Sequence, residues 1–401
     1  MLVVHRYYWP DKTPCAVIMR RIAEYLAEDG FEVDVLTSQP SYRENIRQER
    51  RPRVEQFNNV EVTRLVLPTE TGRPILRVLN AVYLGFWILV RAIFRRYQAI
   101  IVSTIPPVLG GFFSGFASKL TRARFVYYCM DLHPEIGRVS GDFSNPLLYS
   151  LLQRLDDWNC RQANPVLVHS EDMRNTLRSR PRGGDYRIEL MNNFAFPAER
   201  ETPDKADSFP YTKANRLTLI YAGNMGRFQG LEVVLDAMGR IAKRKDIELL
   251  MMGEGVAKPG LIEMQKQTGA NVRFYEYQPV EVVKAAIQGA DIGLVMLIPN
   301  MYKYAYPSKT MAYLEQGRPI IAAVETESEL AKTMQAESYG FSVPIGDAEA
   351  LAKLFLKLAD DDSWKAPMRA SALKAFEKHF SAPFVLAKWS EVVRTGHVSR
   401  W

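Results

Sequence analysis

One glycine turn and one lysine are the residues of this chain whose spacing suits them best for chemistry. In 221–232 (YAGNMGRFQGLE) an apolar, strand-like run ends at Ala222, and Gly223 and Gly226 permit a tight turn. A helix is predicted to start near Gly230, with Leu231, Val234, Leu235, Met238 and Ile241 on one stripe. A turn of this kind gathers unpaired backbone N–H groups at the positive end of a helix dipole, which suits a diphosphate. Arg227 would add a fixed positive charge. By itself a Gly-x-x-Gly loop serves equally well as an ordinary strand-to-helix turn.

The second constellation is 306–319 (YPSKTMAYLEQGRP). Pro307 and Ser308 are helix-start residues, Ser308 as the expected N-cap, with Met311 and Leu314 on the buried face. Lys309 then falls in the first helical turn, where a cation opposes the dipole unless an anion sits beside it. That mismatch makes it a candidate phosphate ligand; the alternative is a lysine in solvent. Gly317 is expected to end the helix before a strand, PIIAAV. A third group, CMDLHPEIGR, places Asp131, His133 and Glu135 at the carboxyl end of a predicted parallel strand, where open α/β sheets carry their ligands. No His/Cys metal spacing, Gly-x-Ser-x-Gly turn or Walker loop is found, so metalloenzyme, hydrolase and NTPase readings lack support.

Positioning these residues calls for an α/β chain. The 401 residues suit two domains, each large enough to bury a real interior. LVV, a helix over about 16–27, EVDVLTS, AIIVSTIPP, FVYYCMDL and PVLVHS alternate as strands and helices of a parallel sheet. Residues 197–215 are polar, rich in proline and without periodicity, and read as a linker. The pattern then restarts with LTLIYAGN, IELLMMGEG, NVRFYEY, DIGLVML and PIIAAV. The expected organisation is an N-terminal domain over 1–196, the linker, a second domain over 216–380, and a final helical stretch over 381–401 that can cross back to the first half.

The net charge of +7 is carried by one segment. Between residues 71 and 124 there are eight basic residues (Arg73, Arg77, Arg91, Arg95, Arg96, Lys119, Arg122 and Arg124) and no Asp or Glu. The same stretch is the most apolar in the chain. That combination points to an anionic membrane surface and away from nucleic acid; the structural alternative is a buried helix with arginines at its ends. Within it, 75–94 is interrupted by Arg77, Asn80 and Arg91, and reads as a helix lying in the interface or packed with one face exposed, not as a span. Cys15, Cys129 and Cys160 form no Cys-x-x-Cys pair and read as reduced thiols of a cytosolic chain. The opening MLVVHRYYWP reads as a first strand without signal-peptide features.

Taken together and in order, YYWPDKTP, PSY, STIPP, DLHPE, YAGNMGRFQGLE, GEG, GADIGLVML and PSKTMAYLEQGRP resemble the retaining glycosyltransferases of family 4. The resemblance is strongest to the branch that builds colanic acid, O-antigen and capsule sugars on lipid carriers. It implies the GT-B fold, two doubly wound Rossmann-like domains facing across a cleft. It further implies that residues 223–226 (Gly223, Asn224, Met225, Gly226) and Lys309 hold a sugar nucleotide's diphosphate, with Arg227 as a second catalytic cation and Gln229, Pro307, Ser308 and Thr310 as further substrate-binding residues. Residues 276–278, including Tyr277 and Gln278, would line the base, with Gly253 and Glu254 bordering the same cleft. Asp131 and Glu135 would face the acceptor. Enzymes of this type use no metal and no cofactor beyond the nucleotide-sugar donor, because protein cations stabilise the departing diphosphate. The chain departs from the wider family at three positions. Asn224 and Gln229 stand where the family has Arg and Lys, and Ala312 stands where it has the Glu that often binds ribose. Glu315, one turn on, lies farther from the helix start.

The implied function is transfer of a hexose or N-acetylhexosamine, from a uridine-diphosphate sugar by preference, to a lipid-linked or saccharide acceptor at the cytoplasmic face of the cell membrane. Two alternatives stay open. One is a sugar-nucleotide epimerase or a transferase with a soluble acceptor; the other is a non-catalytic partner that kept the fold and lost the donor.

Overall fold

The computed structural model describes residues 1–11, 13–40, 50–70, 72–141, 143–195 and 217–398. The predicted linker and part of the PSY loop (Ser41 and Tyr42) lie outside them. The chain divides into two compact units, Met1–Asn193 with Tyr304–Tyr306 and Pro383–Trp401, and Phe194–Lys303 with Pro307–Ala382.

The first unit is a doubly wound α/β domain. In chain order it contains β1 (Leu2–Val4), α1 (Pro14–Glu28), β2 (Val33–Ser38), β3 (Val54–Phe57), β4 (Val60–Leu65), α2 (Pro74–Arg95) and β5 (Ala99–Ser103). There follow α3 (Leu109–Thr121), β6 (Arg124–Cys129), α4 (Glu135–Ser140), α5 (Pro146–Gln162), β7 (Val166–Val168), α6 (Glu171–Arg178) and β8 (Ile188–Leu190). The eight strands run in the order β3-β4-β2-β1-β5-β6-β7-β8, parallel except for the edge strand β3. β1 and β5 are buried throughout, as their unbroken apolar runs require when helices cover both faces. Helix starts follow local chemistry: the Thr13 hydroxyl accepts from the Ala16 N–H, and Asn145 and Ser170 cap α5 and α6 in the same way.

Helix α2 is long and apolar enough to cross a membrane by composition, yet one face is fixed to the unit. Leu84, Ile88 and Ala92 lie in the core, and a Cβ at Gly85 would sit 2.0 Å from the Phe113 ring, so α2 and α3 touch backbone to ring. Here the expectation of membrane-facing arginines needs correction for Arg91, Arg95 and Arg124. The Arg91 guanidinium turns back to Asp34 and Glu61, both at 3.4 Å, and Arg95 reaches Glu61 at 3.0 Å. Arg124 likewise donates to the carbonyls of Val392 and Val393. Those carbonyls belong to the C-terminal helix (Ala382–Thr395), most of which is part of the first unit. In it Trp389 is fully buried edge-on against Tyr128, and Arg394 pairs with Asp29 at 2.7 Å.

The second unit has β9 (Leu217–Ala222), α7 (Glu232–Arg240), β10 (Ile247–Met252), α8 (Lys258–Thr268), β11 (Val272–Tyr275), α9 (Val280–Gly289) and β12 (Ile292–Met296). It continues through α10 (Lys309–Glu315), β13 (Ile320–Ala323), α11 (Glu329–Glu337), β14 (Gly340–Val343), α12 (Ala348–Asp360) and α13 (Lys365–His379); the C-terminal helix is then α14. Its six strands are all parallel, in the order β11-β10-β9-β12-β13-β14. Both sheets are therefore Rossmann-like, as the alternation of strands and helices predicts.

Candidate functional site

In the second unit the register of the sheet assembles the candidate residues. Ala222, Met252 and Tyr275 are paired across β9, β10 and β11, so the loops that begin at residues 223, 253 and 276 leave the sheet abreast. At the usual strand spacing they span roughly 10 Å, a nucleoside's breadth. Backbone contact between the loops leaves no room for side chains. Gly253 has φ +137° and a Cβ there would lie 2.1 Å from the Gly223 carbonyl oxygen; at Gly255, with φ +155°, it would lie 2.2 Å from that of Met225.

The glycine loop is less open than the sequence suggests. The N–H groups of Gly223 and Met225 donate to the carbonyls of Met252 and Glu254, and Gly226 N–H donates to Gln229 Oε1 at 2.9 Å. The expectation of a cradle of unpaired donors is thus corrected for these three residues. Among the described residues the N–H groups of Asn224 and Arg227 have no partner. Gln229 closes the loop on itself. Met225 is a core side chain, and only its backbone belongs to the loop. Arg227 is exposed and makes no ion pair among the described residues.

Positive charge comes instead from α10. The Lys309 side chain lies across Gly223, where a Cβ would fall 2.6 Å from Lys309 Cε, and its Nζ stands 4.8 Å from the Tyr221 ring centroid. It pairs with no carboxylate among the described residues, and loss of water around the ammonium lowers its pKa to about 8. Two tyrosines hold this geometry. The Tyr313 hydroxyl accepts the Ala222 N–H at 2.9 Å, with its ring laid over Gly293, and the Tyr221 hydroxyl donates to the Asn224 carbonyl at 2.6 Å. Ser308 sits at the N-cap position but its side chain makes no capping bond, because the backbone there is already helical. Pro307 is half-buried beside it, and the Thr310 hydroxyl is turned inward, fully buried and unpartnered among the described residues.

Two carboxylates near this edge are occupied. Glu254 pairs with Lys258 at 2.7 Å, and Lys258 also donates to the carbonyls of Gly253 and Tyr275. Lys258 went unnoticed in the sequence, where an i, i+4 partner for Glu254 reads as an ordinary helix-surface pair. Glu315 is held by Lys284 at 2.7 Å, so it cannot stand in for the carboxylate missing at Ala312. Tyr277 is exposed and Gln278 half-buried, both directly after β11.

In the first unit Asp131 follows β6 and forms an isolated antiparallel bridge with Ala305, while the Leu132 N–H donates to the Tyr304 carbonyl. Burial raises the Asp131 carboxyl to about 6. Glu135 has a different environment. Burial would raise its pKa, but Arg180 binds both its oxygens, at 2.8 and 2.7 Å, and Gln153 donates at 3.0 Å, holding it below the ordinary carboxylate value. Arg180 also reaches Asp156 at 2.8 Å and Asp157 at 3.2 Å. Glu135 thus belongs to a buried ion network under the DLHPE loop, whereas Asp131 makes no ion pair among the described residues. His5, at the end of β1, hydrogen-bonds Ser103 at the end of neighbouring β5, and burial lowers it to about 3, so it is neutral. This pair was missed in the sequence because its members lie 98 residues apart. Among the described residues no group of three His, Cys, Asp or Glu is placed to hold a metal ion.

Comparison with known proteins gives consistent matches. Residues 15–193 match the glycosyl transferase 4-like domain family, and residues 216–361 match glycosyl transferases group 1. The glycosyltransferase WbjE of Pseudomonas aeruginosa is 24% identical over 62% of this chain and 62% of its own length. The chain therefore spans less than two thirds of that relative. The colanic acid biosynthesis glycosyl transferase WcaI of Escherichia coli K12 is 23% identical over 83% of this chain and 85% of its own. Among solved structures, sucrose-phosphate synthase from Thermosynechococcus elongatus superposes with a TM-score of 0.77 at 18% identity, covering 98% of both chains. HepE from Anabaena, solved with UDP and glucose, gives 0.70 at 14% identity over 98% of this chain and 99% of its own.

Proposed function

We propose that this chain, a glycosyltransferase of the group 1 type with a GT-B fold, moves a hexose or N-acetylhexosamine from a UDP-sugar to a lipid-linked or saccharide acceptor, with retention of configuration, in surface-polysaccharide assembly. The observation that carries the donor half is Lys309, an ammonium partly stripped of water, without a carboxylate partner among the described residues, and laid over the glycine at the carboxyl end of β9. A desolvated, unneutralised cation is costly in the free protein and is stabilised when an anion arrives. Charge on the departing nucleoside diphosphate grows along the reaction, so Lys309 would bind the transition state more strongly than the ground state. The free N–H groups of Asn224 and Arg227 and the exposed Arg227 side chain would add to it. HepE, solved with UDP, is what favours uridine as the base.

In the first unit Asp131 would orient the acceptor hydroxyl, and its raised pKa suits a group that takes a proton near neutrality. Glu135 would keep the loop in place. No resident cofactor enters this reading, since the donor is itself a substrate. The working location is the cytoplasmic face of the cell membrane, with the exposed apolar residues of α2 as its support. WcaI, the relative named for colanic acid biosynthesis, is what favours the colanic acid, O-antigen and capsule branch.

Calorimetric titration with UDP, GDP and their sugars tests the donor site. UDP or a UDP-sugar should bind, and Lys309→Ala should lose that binding with its fold intact. One observation favours a second reading, a non-catalytic partner: Ala312 offers no carboxylate for ribose, and Glu315 is tied to Lys284. Binding of no nucleotide at all would move that reading ahead. Conversion of the donor sugar without an acceptor would mark an epimerase.

A further inference from the structure

The exposed apolar residues of α2 run along its whole length, from Ile75 to Phe94, while its acid-paired arginines, Arg91 and Arg95, lie only in its last turns. Because α2 runs from the end of β4 to the start of β5, its first half lies at the carboxyl end of the sheet and its last turns at the amino end. Arg91 and Arg95, at the amino end, are neutralised by Asp34 and Glu61. Ile93 and Phe94 are exposed beside them, but the larger cluster is in the first half, which exposes Ile75 at 77% and Leu79 at 58% along with Val78, Val82 and Tyr83, and Phe86 continues it one turn further. Helix α5 runs from α4 to β7, so its first turns also lie at the carboxyl end, and they expose Leu147 at 83% with Leu148 and Leu151. Soluble monomers seldom leave so much apolar surface at one end.

The chemistry around these residues selects what covers them. No acidic residue occurs in 71–124 or in 143–155, while Arg73 and Arg77 are exposed at the entry to α2, Arg138 is exposed before α5 and Arg154 at its middle. Pairing with a second copy would bring two basic rims together, whereas an anionic lipid surface complements them. Nor can α2 leave the unit to span a bilayer. Asn80 donates to the Pro68 carbonyl and to Glu70, Gly85 is locked against Phe113, and Leu84 and Ile88 are core residues. A fixed amphipathic helix with apolar and aromatic residues outward and arginines at its margin enters the interface edge-on.

We propose that the first halves of α2 and α5 form an apolar rim that inserts into the headgroup–acyl boundary of an anionic bilayer and holds the carboxyl edge of the first sheet, with Asp131, at the lipid surface. This rests on the glycosyltransferase reading only where it makes the acceptor lipid-borne. It moves the membrane contact away from Arg91 and Arg95, and it makes binding depend on apolar insertion more than on charge.

The test is flotation of the full chain with vesicles of phosphatidylcholine and phosphatidylglycerol, read together with UDP binding. The protein should float and keep floating at about 0.5 M salt, where charge attraction is screened. Leu79→Asp and Leu147→Asp should each weaken vesicle binding by about tenfold or more without changing the melting temperature or UDP affinity. A Leu79→Cys variant carrying an environment-sensitive fluorophore should shift blue only when vesicles are present. Flotation that vanishes with salt and ignores both Asp variants would overturn the rim in favour of a charged surface elsewhere. A blue shift without vesicles, in a dimer that Leu79→Asp dissociates, would assign the face to a second copy. No flotation with UDP binding retained would remove the rim and leave a transferase with a soluble acceptor. Flotation without nucleotide binding would keep the rim and remove the transferase reading.

Discussion

Arg180 in the first unit and Lys309 in the second are both cations shielded from water, and their surroundings are opposite. Arg180 is met by three carboxylates, Glu135, Asp156 and Asp157, and by the His133 carbonyl. Lys309 is met by an aromatic face and a glycine, with no carboxylate among the described residues. A buried charge whose partners are all present fixes a structure; one whose partner is missing marks where a ligand of opposite sign belongs. The pKa values agree with the contrast, since Arg180 is held well above its ordinary value while Lys309 falls to about 8.

The largest effect that could break this contrast is on stability at Arg180. Arg180→Met leaves three carboxylates buried together and should cost about 3–5 kcal/mol of unfolding free energy in urea titrations. A cost under about 1 kcal/mol would show that the network is not the anchor of the DLHPE loop. At Lys309 the sign should reverse. Lys309→Met should cost at least ~2 kcal/mol in transition-state stabilisation, measured as kcat/KM. The same variant should stabilise the ligand-free protein by about 1–2 kcal/mol, discounted for partial exposure. A lysine whose folded pKa lies below its ordinary 10.5 destabilises the fold below about pH 8, and that penalty fades as pH rises from 8 towards 10.5. The stability advantage of Lys309→Met should shrink over the same window, and loss of stability in the variant at neutral pH would refute the desolvated-cation account.

A smaller effect tests how Lys309 is held. Tyr313→Phe removes the acceptor of the Ala222 N–H and should cost about 1 kcal/mol in stability, with a rise in KM for the donor. Unchanged KM would show that α10 needs no tie to β9. The mildest test uses pH alone. The profile of kcat/KM should fall about tenfold per unit below about 6 as Asp131 takes up its proton, and fall again above about 8 as Lys309 loses its own. Asp131→Asn should flatten the acid limb and Lys309→Arg should push the alkaline limb upward.

Much of the fold was legible because both sheets are parallel but for the edge strand β3 and covered on both faces, so their strands are mainly apolar runs such as AIIVS and IELLMM. The glycine positions in 223–255 were legible for the same reason, since loops that meet backbone to backbone admit no other residue. Hydrogen-bond direction was not. Nothing in GNMGRFQ announces that Gln229 consumes the Gly226 N–H, or that the Gly223 and Met225 donors point to the next strand. Glu135 shows the same limit. In DLHPE it reads as a third acid at a strand end, and only the fold brings Arg180, 45 residues away, onto both its oxygens. The arginines of α2 follow suit, because Asp34 and Glu61 sit on other strands and a local charge count cannot include them.

The placement of α14 has a consequence for biosynthesis. All eight strands of the first unit are encoded before residue 191, but Trp389, whose ring is buried against Tyr128, and the carbonyls that receive Arg124 come from the last twenty residues. On the ribosome, where folding proceeds from the amino terminus, the first domain to emerge is the last to be finished. It must wait, with an aromatic socket open, while the whole second domain is translated.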